Sequence, residues 1–432
     1  MTAERHRMQA MVLHRTGRDL RFEERDIPSP GPGEVRVRVE ACAVCRTDLH
    51  VVDGELPDQR VPIVPGHEIV GIVEAAGSGV AGIAPGTRVG VAWLAGTCGV
   101  CAYCREDREN LCESAAFTGH TRDGGFASHV IADAAYVFPL PPDADPVKLA
   151  PLMCAGLIGW RCLRALGAAR NVGLYGFGAA AHLVAQVLRW EGRAFHAFTR
   201  PGDEQSQALA RSLGAAWAGG SDALPPVPLD GAIIFAPVGS LVPAALGAVR
   251  KGGRVVCGGI HMSDIPSMPY RLLWGERELV SVANLTRRDG REFLELAGRI
   301  GIAPKTTPYA LRDANRALDD LRSPGAMAGN SSNWPGGSAS RPRRPPTPCG
   351  TPTARWTICA HPARWPGIPR TGRADRHRAQ DDPLRPAGRQ PRAGRSAAGT
   401  DRRRGRPRSL TVFFAPAGRR RIAACPTCGS RR

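Results

Sequence analysis

Asn171-Val172-Gly173-Leu174-Tyr175-Gly176-Phe177-Gly178-Ala179-Ala180-Ala181 decides the fold. A short apolar strand, Asn171 to Gly176, runs into a glycine turn. Ala179 to Trp190 follows with apolar residues at helical spacing. The alternation continues outward. Ala194 to Thr199 reads as a second strand and Glu204 to Leu213 as a second helix. Ala232 to Ala236 and Arg254 to Cys257 are further strands of buried type. Strands alternating with helices predict a parallel sheet covered on both faces, a doubly wound α/β domain over 155–287.

The same stretch carries a function. Gly176 permits the turn, Gly178 lets the backbone approach a pyrophosphate, and Ala181 allows close helix–strand packing. A glycine turn can precede any helix; the flanking strand and helix are what favour dinucleotide binding, in a Rossmann-type domain. Cofactor choice turns on the end of the second strand, His196-Ala-Phe-Thr199-Arg200-Pro-Gly-Asp203. Thr199 occupies the place where an acidic residue would hold the ribose hydroxyls of NAD. A hydroxyl and the Arg200 guanidinium suit a 2′-phosphate better, so NADP(H) is favoured over NAD(H). Asp203 remains the alternative partner for a free ribose. Gly231 to Pro237, and Ile260 to Ser263, are expected beside the nicotinamide half.

Upstream, residues 1–154 predict a mainly β domain. Val35-Arg36-Val37-Arg38-Val39 alternates apolar and polar after the Pro30-Gly31-Pro32-Gly33 turn, and Ile69 to Val73 is a short apolar run. Few stretches there have helical period. Within this region Cys98-Gly-Val-Cys101-Ala-Tyr-Cys104, with Cys112 beyond, forms a loop of closely spaced thiols. Four thiolates can wrap one tetrahedral zinc and leave it no open position, so this site would be structural. Reduced or disulfide-paired cysteines are the alternative. Metal is favoured by the spacing and by a reducing compartment.

Cys45, His67 and Cys154 are far apart, and spacing alone does not join them. Together with other motifs they do point somewhere. Cys45-Arg-Thr-Asp-Leu-His50, Gly66-His67-Glu68, the four-cysteine loop and Ala150-Pro-Leu-Met-Cys154-Ala-Gly resemble the zinc-dependent medium-chain alcohol dehydrogenases, over roughly residues 8 to 320. The likeness is nearest to the bacterial and yeast-like branch. It implies a GroES-like catalytic domain from 1–154 and 288–322, around the Rossmann domain. It implies that Cys45, His67 and Cys154 hold a catalytic zinc whose open position takes water or substrate, so two zinc ions per chain are expected. Hydride would pass between an alcohol and the nicotinamide. Thr47 would relay the proton, through the cofactor ribose, to His50 near the surface. Asp48 would orient His67, Glu68 would be a transient or outer ligand, and Arg46 would contact the pyrophosphate. Trp93 would line the alcohol pocket, or else serve as a core residue. Val52 and Leu56 stand where yeast-like relatives carry tryptophans, which suggests room for medium-length or aromatic primary alcohols. Cys42, Cys162 and Cys257 match no ligand position and are expected to pack.

The net charge of +19 suggests nucleic acid until it is located. Residues 330–432 hold 23 of the 58 basic residues and 4 of the 39 acidic ones, which leaves 35 of each sign before them. Basicity therefore concerns the tail alone. From about Ser323 the composition is Arg, Pro, Gly and Ala without period, and disorder is expected over 323–432. The family's apolar last strand has no counterpart after the helix around Ala317 to Leu321. A frameshift in a GC-rich gene is the favoured origin of the tail; a genuine arginine-rich appendage that binds nucleic acid or acidic partners is the other. No signal peptide or membrane span is evident, so a soluble cytoplasmic protein is expected, without membrane partners and as a homodimer or homotetramer. Two rival functions stay open. One is an aldehyde or polyol reductase of the same family. The other is an inactive dehydrogenase fold carrying a basic interaction tail.

Overall fold

A computed structural model describes residues 7–322. The expected disordered tail lies outside the described residues. β1 (Arg7–Val12) and β2 (Arg21–Asp26) pair antiparallel. Seven short strands complete a mainly β lobe: β3 (Glu34–Ala43), β4 (Glu68–Ala76), β5 (Arg88–Val91), β6 (Leu94–Gly96), β7 (Ala116–Phe117), β8 (His129–Asp133) and β9 (Val137–Pro139). Five of them form one antiparallel sheet in the order β8-β3-β4-β5-β9. The alternation around Val37 does what a half-buried strand should: Val35, Val37 and Val39 are buried while Arg36 and Arg38 meet Glu74 on the other face.

Three short helices interrupt this lobe, α1 (Arg46–Asp53), α2 (Ala102–Arg105) and α3 (Pro146–Leu149). α1 departs from the strands and turns expected there. Its start is capped by the Asp48 carboxylate, which accepts from the Cys45 amide at 2.6 Å, and Gly54 ends it in the left-handed region at φ 73°. Thr47, Asp48 and His50 are all buried, so the helix has no ordinary polar face for the sequence to display.

α4 (Ala155–Leu166) leads into the parallel sheet. β10 (Asn171–Tyr175), α5 (Ala179–Trp190), β11 (Ala194–Thr199), α6 (Glu204–Ser212), β12 (Trp217–Gly220), β13 (Leu229–Ile234), α7 (Leu241–Ala248), β14 (Val249–Cys257) and β15 (Glu278–Ser281) follow. The six strands run parallel in the order β12-β11-β10-β13-β14-β15, the Rossmann order with its reversal between β10 and β13. Cys42 and Cys162 are fully buried packing residues; Cys257 is only half-buried, beside the second apolar cluster. α8 (Arg287–Ile300) packs on α4, and α9 (Ala314–Arg322) returns the chain to the first lobe. There Asn315 exchanges two hydrogen bonds with the Leu20 backbone, both 2.9 Å, and Arg322 pairs with Asp53. Among the described residues no single helix is long and apolar enough to cross a membrane.

One buried group on α5 makes stability depend on pH. His182 is 6% exposed, and burial pushes its pKa down to about 4 from an ordinary 6.5. Above pH 6.5 it is neutral folded or unfolded and contributes no pH dependence. Between 6.5 and 4 the unfolded chain binds a proton that the folded chain refuses, so stability falls as pH falls. The loss approaches about 3 kcal/mol at pH 4. Urea midpoints of the parent and His182→Gln at pH 7 and pH 4.5 should show a smaller acid loss in the variant; equal losses would contradict this.

Candidate active site

The β3–β4 pairing assembles the first half of the site. Ala43 faces Glu68 in the antiparallel register, so Cys45, two residues beyond, and His67, one before, leave the sheet together. The turn between Cys154's flanking helices delivers the third residue at the start of α4. Cys45 Sγ lies 3.5 Å from Cys154 Sγ and 3.1 Å from His67 Nε2. With Glu68, the donor atoms of these residues all lie within 4.8 Å of one another. Asp48 Oδ1 accepts from His67 Nδ1 at 3.1 Å and from the Gly66 amide at 3.2 Å. That bond leaves the Nε2 lone pair facing the thiols.

The cluster is chemically uncomfortable as it stands. Burial, reinforced by Cys154, pushes the Cys45 thiol well above its usual range. Burial and the neighbouring Cys45 raise the Glu68 carboxyl likewise. Glu68 Oε1 has no hydrogen-bond partner among the described residues. Two thiols, an imidazole and a carboxyl crowded without solvent are a set of lone pairs that a divalent cation reconciles. Two sulfurs and one nitrogen are donors suited to zinc, so the residues fit a zinc ion.

A cleft of about 550 Å³ opens from Cys45 and Cys154 toward the parallel sheet. Arg46, Thr47, His50 and Trp93 line it on the side of the first lobe. Gly176, Gly178, Phe235–Pro237 and Gly258–His261 line it at the ends of β10, β13 and β14. Gly176 has φ 87°, and a Cβ there would sit 2.8 Å from Ala236. Ala181 is fully buried against the sheet. Trp93 is both things expected of it: 8% exposed, edge-on to His67 at 5.0 Å, and part of the cleft wall.

At the far end the structure changes one expectation. The Thr199 hydroxyl donates to backbone oxygens of Arg200 and Gly219 and accepts from Gln207 Nε2 at 3.1 Å. It is buried with its one proton directed to backbone oxygens, although the residue borders the cleft beside Arg200. Arg200 does line the cleft. Asp203 caps α6, its carboxylate taking the Ser206 amide at 3.0 Å and hydroxyl at 2.8 Å.

Cys98, Cys101, Cys104 and Cys112 form a second cluster, their sulfurs within 4.8 Å of one another. No disulfide joins the described cysteines. The Val100 and Cys101 amides, aimed at Cys98, pull its pKa down to about 6. Four converging thiols with amides directed at one of them fit a closed zinc site. The lobe is clamped to α8: Glu109 takes the Arg287 amide at 2.7 Å and its guanidinium at 2.6 Å. Asn110 Nδ2 donates to Ala283 O at 2.8 Å.

A family model described as the alcohol dehydrogenase GroES-like domain matches residues 31–142. The chain is 47% identical over 311 residues to the "Probable alcohol dehydrogenase AdhA" of Mycobacterium tuberculosis, covering 70% of this chain and 89% of that protein. It is 33% identical over 326 residues to an alcohol dehydrogenase of Moraxella sp., covering 73% and 96%. The chain belongs to the zinc-dependent medium-chain alcohol dehydrogenase family. Solved relatives agree with it. A dehydrogenase from Sinorhizobium meliloti, classed as zinc-binding and bound to NADP, superposes with TM-score 0.66 at 28% identity, covering 72% and 95%. A cobalt- and zinc-bound thermostable alcohol dehydrogenase from Pyrobaculum aerophilum gives 0.67 at 26%, covering 74% and 97%.

Two expectations need correction. His50 is not near the surface: it is 1% exposed, with Nδ1 2.9 Å from Glu55 Oε2. Val52 and Leu56 do not line the cleft. Val52 sits two residues past His50, about 200° around α1, and so faces the core. Leu56 packs against that core. Sequence reasoning also missed Glu55, Asn110 and Asn284, polar residues that belong to no motif.

Proposed function

We propose that the chain is an active zinc alcohol dehydrogenase, oxidising primary alcohols to aldehydes reversibly with NADP(H) in preference to NAD(H). The observation that carries it is the convergence of Cys45, His67, Glu68 and Cys154 donors at the end of a cleft whose other end is the glycine turn and Arg200. Zinc held by Cys45, His67 and Cys154 would supply Lewis acidity that lowers the pKa of a substrate hydroxyl. A second zinc in the Cys98, Cys101, Cys104 and Cys112 cluster would tie that lobe together.

The chain's own residues do the rest. Asp48 fixes the orientation of His67. Thr47, in the cleft wall, would accept the substrate hydroxyl's proton while releasing its own, by way of the cofactor ribose, toward His50 one helical turn on. Glu55 faces His50 Nδ1 and leads the proton outward, since its side chain is 14% exposed where His50's is 1%. Arg46 and the glycine turn would hold the pyrophosphate. Tyr270 and Trp274 are exposed at 73% and 61% just before β15, the edge strand of the described sheet. They support a dimer or tetramer built through this domain.

Cofactor choice then rests chiefly on Arg200, the one cation at that end of the cleft among the described lining residues. Arg200→Ala should weaken NADPH binding by about 2 kcal/mol, roughly thirtyfold, and leave NADH within about threefold. Equal losses for both would remove Arg200 from phosphate recognition. Trp93, Phe117, Ile158 and Leu285 give the reacting end apolar walls. At about 0.8 kcal/mol per buried methylene, hexanol should exceed ethanol in kcat/KM by up to about two-hundredfold, with benzyl alcohol also ahead. A clear preference for ethanol would defeat the medium-length and aromatic assignment.

A further inference from the structure

The turn after β14 brings a titratable side chain that no step above uses. His261 lines the cleft together with His50. Their rings lie 5.9 Å apart, centroid to centroid, and are tilted by 52°. The two imidazoles come from different lobes, His50 from α1 and His261 from the end of a parallel strand. Glu55 completes the group, its Oε2 2.9 Å from His50 Nδ1. Burial first, then the neighbouring His50, lowers the His261 pKa below an ordinary 6.5, and the Glu55 carboxylate opposes them. One acid and two bases of nearly equal ordinary strength therefore meet where a relayed proton would arrive.

A proton that reaches His50 needs a way out, since His50 is 1% exposed and the Glu55 side chain only 14%. An imidazolium gives its proton to a carboxylate against about two units of acidity on ordinary values, but to another imidazole on nearly level terms. His261 is only partly buried, and its lowered pKa means that a proton it takes is readily given up. Two ring nitrogens bridged by one water stand about 5–6 Å apart, a separation within reach of rings at this spacing. We propose that His261 is a second proton outlet, working in parallel with Glu55. In this step the His50 Nε2–H bond breaks and one ring nitrogen of His261 gains that proton. The other ring nitrogen of His261 loses its own proton to water or a buffer base, while His50 Nδ1 keeps its bond to Glu55. No electrons change hands. This role rests on the proposed dehydrogenase function, and it makes the relay span both lobes.

Stopped-flow kinetics on the holoenzyme separate the proton from the hydride. One turnover of hexanol with NADP+ is followed in weakly buffered solution, the hydride by nicotinamide absorbance and the proton by a soluble indicator dye. In the parent the two signals should rise together. His261→Phe keeps a ring against His50 but cannot carry a proton. Its proton signal should lag the hydride by about tenfold, less than the 10²–10⁴ of a sole acid–base group because Glu55 remains. His261→Glu, which can carry a proton again, should bring the lag back to within about threefold of the parent, and adding Glu55→Gln to His261→Phe should lengthen it by about another tenfold. A His261→Phe enzyme whose two signals still rise together would overturn the outlet. So would a lag that His261→Glu does not shorten, or one that Glu55→Gln does not lengthen, because the ring would then be only a packing element or the sole exit. A parent that reduces no NADP+ with any alcohol would instead strike the dehydrogenase reading itself.

Discussion

His67→Ala is expected to lower kcat/KM for alcohol oxidation by at least about a thousandfold, some 4 kcal/mol of transition-state stabilisation at about 1.36 kcal/mol per decade. The imidazole is one of three donors proposed for the catalytic ion, and it is fully buried, so no solvent molecule replaces it cheaply. Its loss also leaves Asp48 Oδ1 without the ring it faces at 3.1 Å. Asp48→Asn should act less severely, by about 10- to 100-fold, because the imidazole stays and what suffers is its orientation and the cap on the Cys45 amide. The order of the two variants is the informative result, read from steady-state kinetics on proteins with unchanged circular dichroism. A His67→Ala enzyme within tenfold of the parent would remove the imidazole from the chemistry.

Gly66→Ala should cost about 2–5 kcal/mol of folding stability. Gly66 has φ 97°, where an alanine bears roughly 1–2 kcal/mol of backbone strain. An added Cβ would also lie 2.3 Å from Phe126 Cδ1 and 2.9 Å from Cys42 Sγ. Both neighbours are fully buried and cannot withdraw, which adds about 1–3 kcal/mol of overpacking. Gly33→Ala is the control: φ 76° but nothing within 4 Å of its Cβ, so only the backbone strain applies. Urea denaturation of the two should separate them by the packing contribution. If they unfold alike, the close packing around the residue before His67 is not as described.

The Rossmann sheet was legible because its strands are buried on both faces. Such strands write continuous apolar runs, and the helices between them keep a 3.6-residue period; α5 and β11 fall on the expected residues. The first sheet was legible at Val35–Val39 for the complementary reason, one wet face and one dry. α1 was not, because the site it builds buries Thr47, Asp48 and His50 and so erases the pattern that marks a surface helix. The same burial misled the expectation that His50 lies near the surface. Cys45, His67 and Cys154 could be joined only by resemblance, since the β3–β4 register and the start of α4 bring them together and neither leaves a trace in spacing. Val52 and Leu56 were placed in the pocket by resemblance alone; α1 turns Val52 inward, and Leu56, beyond its end, packs on the same core. Asn110, Asn284 and Glu55 had no signal at all: each is an ordinary polar residue that only the fold brings to the cleft wall or to His50.

The zinc content of purified chain, measured by mass spectrometry of the metal for the parent and for His67→Ala, bears most directly on the proposed two-ion site. Two closed or nearly closed donor sets predict about two zinc ions per parent chain and about one in the variant, which keeps the four-cysteine cluster. A parent with one ion or none, or a variant that still carries two, would contradict the assignment of Cys45, His67 and Cys154 as the ligands of a catalytic metal.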